Sequence, residues 1–274
     1  EEGLDVTIIE KQSYLEEIDD LLTGKVDLIG DFVLIDVIKN YSPENQLKVH
    51  LATDYSNGAD GIVVNRNIKS PKDLKGKKIA VEMGGMGEYL LYDFFSKNKI
   101  EFSDVEVVNL NAEEASIAFI ENKVDSAVTY EPHLSKAVEK GNGEKIYTSA
   151  MSPNLIIDVL VSKTKYSDSN HEKISAFVRS YFKAVDFIEK YPEEAYRIGA
   201  KYFKISPSEF KKQYAGVKQL NLEDNLEIMS FGNNTNSIHT SFKFAYDFLK
   251  LKNEVVFELD SLDVIDPEIV KELK

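Results

Sequence analysis

An α/β fold built as two similar domains is what the 274-residue sequence predicts, on three observations. Short β-branched runs alternate with helix-spaced apolar residues through the first 165 residues. Alternation at this length indicates parallel βαβ units with right-handed crossovers. Part of the pattern recurs at an offset of 98–99 residues, and the C-terminal region changes to mostly helical patterning.

Taken in order, Val6-Thr7-Ile8-Ile9 reads as a first strand. Leu15, Ile18, Leu21 and Leu22 follow at helical spacing, and Gly24 stops that helix. Val26-Asp27-Leu28-Ile29 is the next strand, and Phe32, Ile35, Val37 and Ile38 mark a helix that ends before Pro43. Residues 47–53 and 61–65 read as strands on either side of the turn-rich Asp54-Tyr55-Ser56-Asn57-Gly58. Ser70-Pro71-Lys72-Asp73-Leu74-Lys75-Gly76 carries a cap, a proline at the first helical position and a closing glycine, so it predicts one helical turn. A strand over 78–82, a glycine-rich turn and a helix through 89–95 come next. Beyond residue 165, Ile174, Phe177, Val178, Tyr181, Phe182, Val185 and Ile188 form one apolar helical stripe. Ser206-Pro207-Ser208-Glu209 has the capping-box pattern and Asp266-Pro267 opens a last short helix. No Pro- or Ser-rich linker separates this region from the rest.

The repeat pairs Asp5-Val6-Thr7-Ile8-Ile9, its helix and Lys25-Val26-Asp27 with Asp104-Val105-Glu106-Val107-Val108, its helix and Lys123-Val124-Asp125. The second copy is preceded by a strand and helix over residues 77–98, and the first copy has no such pair. By analogy the first domain is expected to include a strand and helix N-terminal of Glu1.

The composition is that of a globular protein, 43% hydrophobic and 29% charged. A net charge of −14 argues against nucleic acid and anionic membrane surfaces as partners. The absence of cysteine excludes disulfides, thiolate metal sites and cysteine nucleophiles. His50, His133, His171 and His239 are scattered without metal-ligand spacing, and no G-x-S-x-G elbow occurs. No metal, cofactor or catalytic constellation is therefore expected, and neither is an enzyme.

The groups that invite a ligand sit at expected strand ends. Gly84-Gly85-Met86-Gly87 lies between a strand and a helix, where free amides can meet a polar or anionic group. It equally reads as a tight turn that needs glycine. Tyr130 and Glu131 end a strand, the edge at which open parallel sheets bind ligands; Glu131 also reads as a helix N-terminal carboxylate. Asp31 holds the equivalent edge in the first copy, and Asp54 and Tyr55 end the strand after it, where Asx turns or solvated loops are the plainer reading. Asp158 interrupts the apolar run Leu155-Ile156-Ile157-Asp158-Val159-Leu160-Val161, and a buried carboxylate needs a partner.

Several of these segments occur together in one known family. Glu2-Gly3-Leu4-Asp5-Val6, Leu22-Thr23-Gly24-Lys25-Val26-Asp27, Gly58-Ala59-Asp60-Gly61-Ile62-Val63-Val64 and Asp73-Leu74-Lys75-Gly76-Lys77-Lys78-Ile79-Ala80-Val81 appear in that order. With Val124-Asp125-Ser126-Ala127-Val128-Thr129-Tyr130-Glu131-Pro132 and Ile157-Asp158-Val159-Leu160-Val161, they resemble the NMT1/THI5-like substrate-binding proteins. That family serves ABC importers of nitrate, taurine, alkanesulfonates and thiamine pyrimidine precursors.

The resemblance implies a two-lobed, type II periplasmic-binding-protein fold with two mixed α/β domains joined by two crossover strands. Lobe 1 is expected over 1–63 and 160–274 and lobe 2 over 64–159, with the first strand and helix of the family missing. It implies that Asp31, Asp54, Tyr55, Gly84, Gly85, Met86, Gly87, Tyr130, Glu131 and Asp158 face a small-molecule ligand between the lobes. The many carboxylates among them suit a nitrogen-containing solute, taurine-like or pyrimidine-like, better than a bare anion. The expected protein is a monomeric, extracytoplasmic, membrane-associated partner of an ABC permease. Two alternatives stand beside it: the sensing domain of a membrane receptor, and an enzyme of thiamine pyrimidine synthesis, whose cysteine-rich pattern this chain lacks.

Overall fold

A computed structural model describes residues 2–11, 14–232 and 236–274. Its elements in chain order are α1 (Tyr14–Thr23), β1 (Leu28–Val33), α2 (Leu34–Asn40), β2 (Leu47–Ser56), β3 (Asp60–Asn65), β4 (Lys78–Val81), α3 (Met86–Asn98), β5 (Glu106–Asn109), α4 (Ala112–Ile120) and β6 (Ser126–Tyr130). There follow α5 (His133–Lys140), β7 (Gly143–Thr148), β8 (Ile157–Lys163), α6 (Thr164–Lys190), α7 (Pro192–Phe203), α8 (Pro207–Tyr214), β9 (Val217–Gln219), α9 (Leu222–Ile228), α10 (Ile238–Leu251), α11 (Ser261–Val264) and α12 (Glu268–Glu272). They fall into two compact units. Unit 1 holds Glu1–Tyr55, Ile156–Pro207 and Gln219–Lys274; unit 2 holds Ser56–Leu155 and Ser208–Lys218.

Unit 1 is organised on a sheet of order β1-β8-β2-β9. The middle strand β8 runs antiparallel to both β1 and β2. Because it is bonded on both edges and packed on both faces, Ile157, Val159 and Val161 are wholly buried, as expected for an apolar run in a central strand. Asn225 on α9 seals the far edge of β2. Its Oδ1 accepts from the Ala52 N–H at 2.8 Å, and its Nδ2 donates to the Ala52 carbonyl at 2.9 Å. One side chain thus replaces a pair of ladder bonds at a fully buried position.

Unit 2 has a five-stranded sheet of order β5-β4-β6-β3-β7. β4 is parallel to both β5 and β6, and β3 is antiparallel to both β6 and β7. Phe119 of α4 fills the core with Val63, Ala80, Ala127 and Leu134. Gly143 permits that packing: a Cβ there would lie 2.4 Å from Val63 Cγ2. The helical turn expected at residues 70–76 is a single 3₁₀ turn, Pro71–Leu74, with Asp73 Oδ2 accepting from the Ser70 N–H at 2.8 Å.

Two expectations need correction. Val6-Thr7-Ile8-Ile9 forms no strand: among the described residues it pairs with none of the strands β1-β8-β2-β9 of unit 1. Phe32 belongs to β1 and not to the helix, which starts at Leu34. Replacing Asn225 by Ala strands a buried N–H and a buried carbonyl, so Asn225→Ala is expected to cost about 2–4 kcal/mol in urea unfolding. A loss under about 0.5 kcal/mol would show that the bridge is dispensable.

Candidate functional site

The sequence-selected residues gather into two groups, one in each unit. In unit 1 the group is Asp31, Asp54, Tyr55 and Asp158. Asp158 is the half-buried second residue of β8 and is the register partner of both Val33 on β1 and Asp54 on β2. Bulges in β1, between Ile29 and Phe32, and in β2, between Ala52 and Asp54, re-aim the chain at this end of the sheet. Asp54 and Asp158 are half-buried and share a side-chain hydrogen bond, while Asp31 is exposed nearby.

Burial dominates the titration of Asp54, which is pushed up to about 6; the bond to Asp158 opposes the shift and the charge of Asp31 adds to it. Burial thus holds the proton on this pair of carboxyls against the pull of the hydrogen bond. A cation placed there supplies the same compensation. The backbone just before Asp54 is fixed by Tyr181 of α6, whose hydroxyl donates to the Thr53 carbonyl at 2.5 Å, and by Gln219, whose Nε2 donates to the same oxygen at 3.1 Å. The sequence carried Tyr181 only as part of an apolar stripe, so its positioning role had no signal.

In unit 2 the group is Gly84, Gly85, Met86, Gly87, Tyr130 and Glu131. Gly84 has φ +80°, the left-handed turn that glycine favours. A Cβ on Gly87 would lie 3.2 Å from Val81 Cγ2, so this glycine lets α3 approach β4. The turn is partly self-satisfied. The Gly84 N–H donates to Glu88 Oε2 at 2.6 Å, and the Met83 N–H donates to Asn109 Oδ1 at 2.9 Å.

Glu88 is buried in the first turn of α3 and puts a negative charge where an anionic ligand group would otherwise gain from the helix dipole. Glu82 borders the same turn. Tyr130, half-exposed at the end of β6, packs edge-on to His133 with ring centroids 5.9 Å apart. Its hydroxyl is raised by burial first, then by the negative charges of Glu82, Asp60 and Glu113. Glu131 serves α5: it accepts from the Ser135 N–H at 3.1 Å and hydroxyl at 2.9 Å, and pairs with Lys145 at 3.3 Å. Glu82, Glu88 and Glu113 were not singled out in sequence, because isolated glutamates near helix starts are common capping residues.

Among the described residues no group of three or more His, Cys, Asp or Glu side chains is arranged to hold a metal. No helix of the described residues is long and apolar enough to cross a membrane.

The raised Asp54 carboxyl has a definite consequence for stability. The folded state binds the extra proton between the ordinary pKa of 3.8 and about 6, so stability falls as pH rises through that window, and the penalty is complete above it. His50 acts with the opposite sign. Burial lowers it to about 4, and its stabilisation is lost as pH falls from 6.5 toward 4. Asp54→Asn removes only the first effect. The difference between variant and wild type in urea unfolding is expected to grow from near zero at pH 4 to about 2–3 kcal/mol in favour of the variant at pH 7.5. A difference independent of pH would rule out the shared proton.

The family described as NMT1/THI5 like matches residues 1–195. The chain is 32% identical over 140 residues to a putative aliphatic sulfonates-binding protein of Bacillus subtilis, covering 50% of this chain and 42% of that protein. It is 28% identical over 148 residues to the taurine-binding periplasmic protein of Escherichia coli, covering 52% and 45%. The matched part thus spans less than half the length of these two relatives. Among solved structures, a putative periplasmic sulfonate-binding protein SsuA from Methylobacillus flagellatus aligns with a TM-score of 0.73 at 21% identity, over 93% of this chain and 78% of that one. That likeness gives the fold: a two-unit α/β protein of the type II periplasmic-binding class. With a family match over most of its length, the chain belongs to the NMT1/THI5-like family.

Proposed function

We propose that this chain is the solute-binding component of an ABC importer and that it binds without chemistry. Its ligand is a small polar solute bearing an ammonium or several N–H donors, as taurine and aminopyrimidines do. The observation that carries this reading is the hydrogen-bonded pair Asp54 and Asp158. A protonated amine there replaces the shared proton and meets two carboxylates in a half-buried setting, where charge-assisted hydrogen bonds are strong. The acidic surroundings of Tyr130 and the Glu88 carboxylate at the start of α3 support the same choice. Tyr55 and Tyr130 add aromatic surface for a ring or a methylene chain.

The names of the relatives support a sulfonate or taurine class of solute. Between those two, the carboxylates favour the amine-bearing molecule. Solute binding favours one state of the protein over another, and a membrane permease reads that state. The protein works outside the cytoplasm, as a membrane-associated monomer.

Titration calorimetry at pH 7.5 against taurine, ethanesulfonate, nitrate and a formylaminopyrimidine tests this. Taurine or the aminopyrimidine is expected to bind at least about tenfold more tightly than ethanesulfonate, a difference of about 1.4 kcal/mol. Its affinity is expected to fall as pH drops below about 6, where the proton competes with the ligand for the Asp54 pair. Equal or tighter binding of ethanesulfonate or nitrate would overturn the reading.

A further inference from the structure

Each sheet has one strand that runs antiparallel to both of its neighbours. In unit 1 it is β8, between β1 and β2; in unit 2 it is β3, between β6 and β7. Both strands carry an aspartate at their start, Asp158 as the second residue of β8 and Asp60 as the first of β3. Asp158 shares a hydrogen bond with Asp54. Asp60 has a different setting.

Two serines aim the Asp60 carboxyl. Ser56 Oγ donates to Asp60 Oδ2 at 2.6 Å. A hydroxyl has one proton to give, so Ser149 Oγ is the donor in its 2.7 Å contact with Ser56 Oγ. Ser149 Oγ itself accepts from the Gly58 N–H at 2.7 Å and from the Asp60 N–H at 3.4 Å. The bonds therefore run one way, from backbone amides through two buried hydroxyls to the carboxyl. Oδ2 is committed by this chain, while among the described residues nothing donates to Oδ1.

Asp60 is the register partner of Tyr130 on β6. Residues directly opposite in an antiparallel pair share a face of the sheet, with Cβ atoms about 5 Å apart, so the carboxyl stands beside the half-exposed tyrosine ring. Other enclosed carboxylates of this chain are neutralised by lysine. Asp20 meets Lys11 at 2.5 Å and Lys25 at 2.9 Å, Asp93 meets Lys97 at 3.0 Å, and Glu131 meets Lys145 at 3.3 Å. Asp60 is half-buried, burial raises it against the pull of the Ser56 bond, and no cationic side chain of the described residues compensates it. An amide would serve Ser56 as acceptor equally well. A carboxylate without countercharge beside an exposed ring suits a positive or N–H-bearing group.

We propose that Asp60 is the specificity-determining residue of unit 2. Its Oδ1 accepts an N–H of the solute, the Tyr130 ring lies against the solute's apolar part, and the carboxylate charge turns away a sulfonate or other anionic end. Ser56 and Ser149 are positioning residues that hold the carboxyl in this direction. The inference rests on the amine-bearing class of solute proposed above and adds the residue through which unit 2 selects it.

Calorimetry at pH 7.5 with taurine, a formylaminopyrimidine and ethanesulfonate compares the wild type with Asp60→Asn, which keeps an acceptor for Ser56, and with Asp54→Asn. Asp60→Asn is expected to weaken the tighter of the two N–H-bearing probes at least about tenfold, and to leave ethanesulfonate unchanged or more tightly bound. Unchanged affinities, or a parallel loss for all three probes, would overturn the proposal. If Asp54→Asn weakens that probe and Asp60→Asn does not, this proposal fails and the reading of the Asp54 pair stands. If neither variant weakens it, or neither N–H-bearing probe binds, both fail. Should Asp60→Asn not fold, the Asp60 carboxyl is titrated by carbon-13 NMR in the wild type with and without the tighter probe, and a step that saturation leaves in place counts against the proposal. Ser56→Ala checks the positioning role. The Asp60 step is expected to move upward in this variant, because the lost bond favours the charged form, and the same probe is expected to bind more weakly by about threefold. An unmoved step with unchanged affinity would rule that role out.

Discussion

The central position of β8 is the constraint on which unit 1 and its pair of facing carboxylates depend. A strand hydrogen-bonded on both edges and covered on both faces tolerates polar side chains only at its ends. Ile157, Val159 and Val161 obey this by being wholly buried. Asp158 sits at the strand's start, where β1 and β2 both bulge, and the register puts Asp54 beside it. Asp158 is left to share a proton with Asp54 or to meet a cation. The carboxylate pair is thus set by the sheet topology, and Tyr181 and Gln219 secure the adjoining backbone by fixing the Thr53 carbonyl.

Unit 2 also gathers carboxylates, by a different local route. Its glycine turn has the form of an anion-binding helix start, but Glu88 occupies the positive end of α3 from within. Tyr130 faces Glu82, Asp60 and Glu113 across a half-exposed strand end. The net charge of −14 therefore has a local expression in both units.

Much of this was legible in sequence, and the exceptions share a cause. The alternation, the 98–99 offset and the helical C-terminal region carry local period information, and the observed elements follow them closely. Asp158 was conspicuous because one carboxylate broke an apolar run. That its partner is Asp54 depends on strand register 104 residues apart, which no local pattern encodes. Val6-Thr7-Ile8-Ile9 has strand composition and yet forms none, since a strand exists only with a neighbour to bond. Glu131, read both as a ligand group and as a helix N-terminal carboxylate, accepts from the Ser135 N–H and hydroxyl in the first turn of α5, as the second reading expects. Glu88 went unnoticed for the converse reason: in sequence a glutamate in the first helical turn is indistinguishable from an ordinary cap.

Carbon-13 NMR of aspartate carboxyls tests most directly whether ligand charge takes the place of the proton shared by Asp54 and Asp158. The pair is titrated in the free protein and again when saturated with the tightest-binding solute of the calorimetric panel. The free protein is expected to show a step near pH 6 assigned to this pair, and saturation is expected to move it down by more than about one unit, since a bound cation favours the charged form. A step that stays in place on saturation, or that moves upward, would contradict the assignment of these carboxylates to the ligand.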